Sequence, residues 1–269
     1  RLIPELSYLA QSIQSYGIKV FAQIAHLGGR IFFPTEGPQP IAPSSINSVL
    51  YEKKPRELTP DEIKHMVKKF IYAAKRAQIA GFDGVEVHGA HTYLIGQFIS
   101  PHTNRREDEY GGDFEKRMRF VTEIVKGIKK ICGDDFPVGF KFSAYEHVRN
   151  GVDIELALKI GSYMEKIGVD YLHVASTTYG TDSYKYLDVS PMYAPRGMLV
   201  ELAQEVKKKV NLPVMAGGGI NEPEYAEKVL RNGKIDMIVM GRALIADPSW
   251  AIKIQQHRQH EIIPCIRCN

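Results

Sequence analysis

A short unit recurs along this chain and limits the folds open to it. Gly81-Phe82-Asp83, Gly168-Val169-Asp170 and Gly233-Lys234-Ile235-Asp236 each close a helical stretch and lead into a short apolar strand. Glycine accepts the backbone conformation that stops a helix, so the unit reads as helix, stop, strand. Strand-like runs at 19–25, 84–88, 138–143, 171–175, 213–216 and 237–240 alternate with helical runs throughout. Most read as apolar on both faces, as a parallel sheet covered by helices requires. Repetition of this kind builds either a (β/α)8 barrel or an open doubly wound sheet.

The helices carry their own signals. Thr59-Pro60-Asp61-Glu62 is a capping box with proline at the first helical position. Ile63, Met66, Val67, Phe70, Ile71 and Ala74 then keep one face apolar until Gly81. Asn221 with Glu224, and Asp247 before Pro248, are expected to open two more helices. Two features favour the barrel. The last two strands run into Gly217-Gly218-Gly219 and Gly241-Arg242, the place such barrels use for phosphate. The chemically useful side chains also cluster at the carboxyl ends of several strands. Counting back from the phosphate strands makes the six visible strands the third to eighth. The expectation is a TIM barrel whose first two βα units, about 80–90 residues, precede Arg1.

With 269 residues, 44% of them hydrophobic, the chain can bury a large core. Its net charge of +4 comes from 35 basic and 31 acidic residues interleaved along helices. Lys68-Lys69, Lys129-Lys130 and Lys207-Lys208-Lys209 read as solvated helix faces and ends, and no aromatic-basic motif points to nucleic acid. No apolar run reaches the ~20 residues of a membrane span. Three cysteines (Cys132, Cys265, Cys268) are too few for a disulfide scaffold and point to a reducing, cytoplasmic setting. Association into a homo-oligomer is left open. Two long segments, 28–58 (Pro34, Pro38, Pro40, Pro43, Pro55) and 176–196 (Tyr179, Tyr184, Tyr186, Tyr193), are expected to wall a substrate pocket.

The chemistry gathers in Val85-Glu86-Val87-His88-Gly89-Ala90-His91-Thr92-Tyr93. Two imidazoles and a phenol at a strand's exit can grip a substrate oxygen and deliver a proton. A His-x-x-His pair is also a structural or metal-site pattern, though no third ligand lies nearby. Gly218 and Gly219 let backbone amides approach a phosphate, and Arg242 can bind it through two parallel hydrogen bonds.

The stretch from Gly81 through His88, His91, Tyr93 and Gln97 to Pro101 resembles the flavin-dependent Old Yellow Enzyme family, as does Asn104-Arg105-Arg106-Glu107-Asp108-Glu109-Tyr110-Gly111-Gly112. The resemblance extends from Phe21-Ala22-Gln23-Ile24-Ala25-His26 to Met240-Gly241-Arg242-Ala243-Leu244-Ile245-Ala246-Asp247-Pro248. It implies a barrel holding FMN non-covalently over residues 1–263, with NAD(P)H as reductant. It implies hydride transfer from flavin N5 to the C=C of an α,β-unsaturated carbonyl, carboxylate or thioester. His88 and His91 would hold the substrate oxygen, and Tyr93 would protonate the α-carbon. Gln23 would meet the flavin pyrimidine edge, and Lys141 would face N1 where many family members have arginine. That departure keeps the charge but loses the planar fork.

Residues 264–269, Pro-Cys265-Ile-Arg-Cys268-Asn, resemble the start of the iron-sulfur segment of the 2,4-dienoyl-CoA reductase and enoate reductase subgroup. There four cysteines hold a [4Fe-4S] cluster; two are present here, so the cluster is expected only in a longer natural chain. A bare CxxC also fits a redox pair or a weak zinc site; the truncated cluster motif is the favoured reading. An amine dehydrogenase-type FMN barrel and a truncated non-catalytic barrel are the competing functional expectations.

Overall fold

The computed structural model describes residues 2–30, 39–46, 53–176 and 191–268. Pro34, Pro38, Tyr179, Tyr184 and Tyr186, expected in pocket walls, lie outside the described residues. In chain order the elements are α1 (Ile3–Gln14), β1 (Phe21–Ile24), the two-residue β2 (Ile41–Ala42) and β3 (Arg56–Glu57), α2 (Pro60–Ile79) and β4 (Gly84–Gly89). There follow α3 (Leu94–Ile99), α4 (Phe114–Cys132), β5 (Val138–Ser143), α5 (Ile154–Lys166), β6 (Tyr171–Ala175) and α6 (Val200–Lys207). β7 (Val214–Ala216), α7 (Pro223–Arg231), β8 (Met237–Ile238), α8 (Arg242–Ala246) and α9 (Trp250–Gln255) follow, with a 3-10 turn at Gln259–Glu261.

The main sheet has the order β1-β4-β5-β6-β7-β8, every pair parallel. Neighbours in space are neighbours in sequence, with no reversal of strand order. A doubly wound sheet needs such a reversal, so the topology is that of a (β/α)8 barrel. Several strands are shorter than the sequence suggests: β1 covers four residues and β8 two.

The strands are also less uniformly apolar than expected. Val85 and Val87, Val138, Phe140 and Phe142, and Leu172 and Val174 turn outward into the core under the helices. The alternate residues Glu86 and His88, Gly139 and Lys141, and Tyr171 and His173 stand in register on the opposite face. A period of two thus separates a packed apolar layer from a polar inner layer.

The recurring glycine–aspartate unit makes the same contact three times. Gly81, Gly168 and Gly233 adopt φ of 88°, 93° and 62° as helix stops. Asp83, Asp170 and Asp236 then donate their backbone N–H to the carbonyl of Val20, Val138 and Val214, at 2.9 Å each. In return each carboxylate accepts the amide of that same valine, at 2.9, 2.6 and 2.8 Å. Lys19, Lys129 and Lys207 complete the three staples. They all lie at the amino-terminal edge of the sheet, where one strand's start is locked to the next.

Two expected helix starts are corrected. The capping box at Thr59 forms as expected. Asn221, however, does not cap α7, whose N-cap is Glu222 without a side-chain bond. Pro223 starts that helix one residue too late for Asn221 to reach, and the Asn221 amide donates to the Cys265 carbonyl at 2.8 Å. Asp247 does not cap α9 either. It is buried and accepts from Ser249 N, Ile263 N and Lys253 Nζ, which folds the chain after α9 back onto the barrel.

Candidate active site

At the carboxyl ends of β5 to β8 lies a cavity of about 320 Å³. Of the residues singled out in the sequence, His91, Lys141, Gly218, Gly219, Gly241, Arg242 and Cys265 line it. His88 and Tyr93 lie outside the lining and pack beside it. The His88 ring centroid is 5.1 Å from that of His91 and 4.6 Å from that of Tyr93, edge to face. Gln23 sits on the exposed inner face of β1. Cys268 is exposed and outside the cavity wall. Among the described residues no three His, Cys, Asp or Glu side chains converge on a metal position.

The turn that presents the imidazoles is strained and tightly held. His91 and Thr92 take φ of 56° and 58°. The left-handed region costs a non-glycine residue about 1–2 kcal/mol, so the surroundings must impose it. His91 N donates to Ser143 Oγ at 3.3 Å, and Arg30 Nη1 donates to His91 O at 2.6 Å. The wholly buried Gln97 donates to Thr92 O and accepts from Gly29 N. Three segments far apart in sequence therefore fix one short turn.

Burial governs the charge of the pair. Desolvation, then the Lys141 ammonium, lowers His88 to about 4. Desolvation, Lys141 and His88 lower His91 to about 2. Both rings are neutral at pH 7, and each offers one N–H as a donor rather than a full charge. Lys141 is itself lowered by burial, against which Glu86 acts.

The opposite wall is backbone. A Cβ on Gly217 would stand 2.6 Å from the Val239 carbonyl, and Gly218 and Gly219 take φ of 96° and 79°. A Cβ on Gly241 would meet nothing within 4 Å, so it would project into open space. Among the described residues, His88 Nδ1, Thr92 Oγ1 and Asn221 Oδ1 are buried without a hydrogen-bond partner. Leaving such atoms unsatisfied costs about 1–3 kcal/mol each; Asn221 lines the cavity, and His88 and Thr92 belong to the turn that presents His91 to it.

Several contributors were not singled out in the sequence. Glu86 and His173 are buried and joined through His173 Nδ1 and Glu86 Oε1 at 3.0 Å. Their signal is the period of two, which puts Glu86 with His88 and His173 with Tyr171. Their meeting depends on strand register and leaves no local trace. Arg30 and Arg267 likewise act across long separations, as does Asn221, expected only as a helix cap. Arg267 donates to the Ala194 and Met192 carbonyls, each at 2.9 Å, which holds residues 192–194 beside the cavity.

The family model described as NADH:flavin oxidoreductase / NADH oxidase matches residues 2–261. The chain is 49% identical over 263 residues to an NADH oxidase of Thermoanaerobacter brockii, covering 97% of this chain and 40% of that protein. It is 35% identical over 277 residues to a cinnamate reductase of Clostridium sporogenes, covering 97% and 41%. A solved 2-naphthoyl-CoA reductase complex with 2-naphthoyl-CoA superimposes with a TM-score of 0.90 at 30% identity, covering 99% of this chain and 42% of that one. The chain thus spans about 40% of the length of these relatives. Its (β/α)8 fold is shared with a solved Old Yellow Enzyme homologue. On sequence and on architecture, the chain belongs to the NADH:flavin oxidoreductase / NADH oxidase family, of Old Yellow Enzyme type.

Proposed function

We propose that this barrel holds FMN and reduces the C=C bond of α,β-unsaturated carbonyl compounds, carboxylates or thioesters at the expense of NAD(P)H. The observation that carries the proposal is the joining of two neutral imidazoles and a phenol to a cavity whose far wall is a glycine and arginine cradle. The cavity fits the cofactor. Gly217, Gly218 and Gly219 leave room for backbone amides to approach a phosphate, and Gly241 leaves its own side-chain volume open. Among the described residues the cavity wall holds Lys141, Arg242 and Arg267 and no carboxylate, which suits a dianionic phosphate and an electron-rich ring. Gly218, Gly219, Gly241 and Arg242 would hold the phosphate, and Lys141 and Gln23 the ring system.

Bound there, FMN supplies two-electron hydride transfer between the nicotinamide and the alkene. The chain's own residues do the rest. His88 and His91, neutral and fixed by the clamped turn, donate N–H bonds to the substrate oxygen as negative charge develops on it. Tyr93 gives its hydroxyl proton to the α-carbon while the β-carbon receives hydride, and solvent returns that proton. One NAD(P)H and one proton are consumed for each C=C reduced.

Within the same proposal the six parallel strands are the third to eighth of the barrel, over residues 1–263. Residues 264–269 begin an iron-sulfur segment. Cys265 lines the cavity itself, which would bring one thiolate of a [4Fe-4S] cluster beside the flavin. No described helix is long and apolar enough to cross a membrane, and the three cysteines are free. Free cysteines suit a reducing, cytoplasmic setting.

Rapid-reaction kinetics on the natural full-length protein test the proposal. Tyr93→Phe is expected to slow reoxidation of the flavin by an alkene about 100-fold or more, with reduction by NAD(P)H changed less than about twofold. Equal slowing of both half-reactions would remove the proton-donor role. Flavin reduction by amines, with no reoxidation by alkenes, would favour an amine dehydrogenase instead.

A further inference from the structure

We infer that Glu86 is a positioning residue that sets the hydrogen-bond polarity of the cavity floor, by fixing the amide of Gln23 and the tautomer of His173. This rests on the flavin reading above. Glu86 is not in the cavity wall, yet its carboxylate gathers side chains from two other strands, β1 and β6. Gln23 Nε2 of β1 and His173 Nδ1 of β6 donate to it, and the Tyr171 phenol of β6 lies against it.

The backbone is shaped for the longest of these reaches. Gly139 of β5 lies in register between Glu86 and Tyr171, and a Cβ there would collide with the Tyr171 ring. The missing side chain is what lets the phenol pass over β5 to the carboxylate. Glycine in a strand interior weakens it, so a close approach of this kind is the physical reason to keep one.

A carboxylate can only accept, which dictates what its neighbours present elsewhere. Gln23 must turn its nitrogen toward Glu86, which leaves Oε1 and one remaining N–H for a ligand. His173 must carry its proton on Nδ1, and burial holds the ring neutral, so Nε2 is an acceptor. Glu86 stays ionised because its donors outweigh the cost of its burial. The floor therefore offers acceptors at Gln23 and His173 beside the Lys141 ammonium. That pattern matches a ring edge alternating carbonyl and N–H groups, as in the pyrimidine portion of an isoalloxazine.

The test is equilibrium binding of FMN to deflavinated full-length protein, with Glu86→Gln, Gln23→Ala and the double variant. Glu86→Gln is expected to weaken FMN about tenfold or more, the scale of one hydrogen bond to a charged group. In the Gln23→Ala background the same change is expected to cost clearly less, about threefold, because only the route through His173 remains. Unchanged affinity in Glu86→Gln, or fully additive losses, would overturn the inference. Should Glu86→Gln fail to fold, Gln23→Glu decides the matter. Two facing carboxylates repel at neutral pH, so its FMN affinity is expected to rise as pH falls from 8 to about 5 and the pair shares a proton. A pH-independent Gln23→Glu would equally overturn the role. Wild-type protein that binds no FMN would instead reject the flavin reading itself.

Discussion

The two edges of the sheet are built on opposite plans. At the amino-terminal edge one device is used three times, a glycine stop followed by an aspartate that exchanges hydrogen bonds with the preceding strand. At the carboxyl-terminal edge no two exits are alike. β4 leaves through a strained turn of histidine and threonine, β7 through three glycines, and β8 through glycine and arginine. The unpartnered buried atoms His88 Nδ1, Thr92 Oγ1 and Asn221 Oδ1 belong to this edge. Repetition and satisfaction mark the edge that stabilises; variety and unmet polar groups mark the edge proposed to bind FMN.

Substitutions should separate the two edges. The largest effect is expected from Gly241→Leu. A Cβ there meets nothing within 4 Å, so thermal unfolding without flavin should be nearly unchanged, while FMN affinity falls about a thousandfold, or about 4 kcal/mol. A parallel loss of stability would show that Gly241 serves the fold and not the ligand.

Acid titration separates them next. His88 binds its proton near 4 when folded and near 6.5 when unfolded, so its contribution is complete above pH 6.5 and lost as pH falls through 4. That is worth about 3 kcal/mol for one ring, and His91, lowered further by burial, deepens the loss. Asp83 is held at about 2, first by Lys19 and then by the Val20 amide. Its stabilisation is complete above about 3.8 and lost as pH falls through 2. Denaturant unfolding as a function of pH should therefore weaken the binding edge first. His88→Asn should flatten the upper window, and Asp83→Asn only the lower. A single transition below pH 4, insensitive to His88, would contradict the assignment.

A smaller effect is expected from Asp170→Ala. It removes the acceptor for the buried Val138 amide and should cost about 2 kcal/mol of stability, with FMN affinity kept within about twofold. A drop in FMN affinity equal to the loss of stability would mean the two edges are not separable.

The same division explains what could be seen in the sequence. The staples announce themselves because a repeated physical problem, stopping a helix and starting a strand, has one local solution. The capping box at Thr59 and the glycine loops after β7 and β8 are legible for the same reason. His88, His91 and Tyr93 fall within six residues of one another, so their proximity needs no fold. Glu86 and His173 are 87 positions apart, and only the register of β4, β5 and β6 brings them together. Asn221 was misjudged because its residue type suits a cap while Pro223 fixes the helix start beyond its reach. The reading of strands as apolar on both faces overlooked a polar layer that is invisible until alternate residues are assigned to opposite faces.

The phosphate cradle is the claim on which the rest depends, and one comparison of ligands reaches it directly. Deflavinated full-length protein should be titrated with FMN and with riboflavin, which differ only in the phosphate. FMN is expected to bind about 100-fold more tightly, with Arg242→Ala removing most of that difference. Equal affinity for the two flavins, or a preference for FMN untouched by Arg242→Ala, would contradict it.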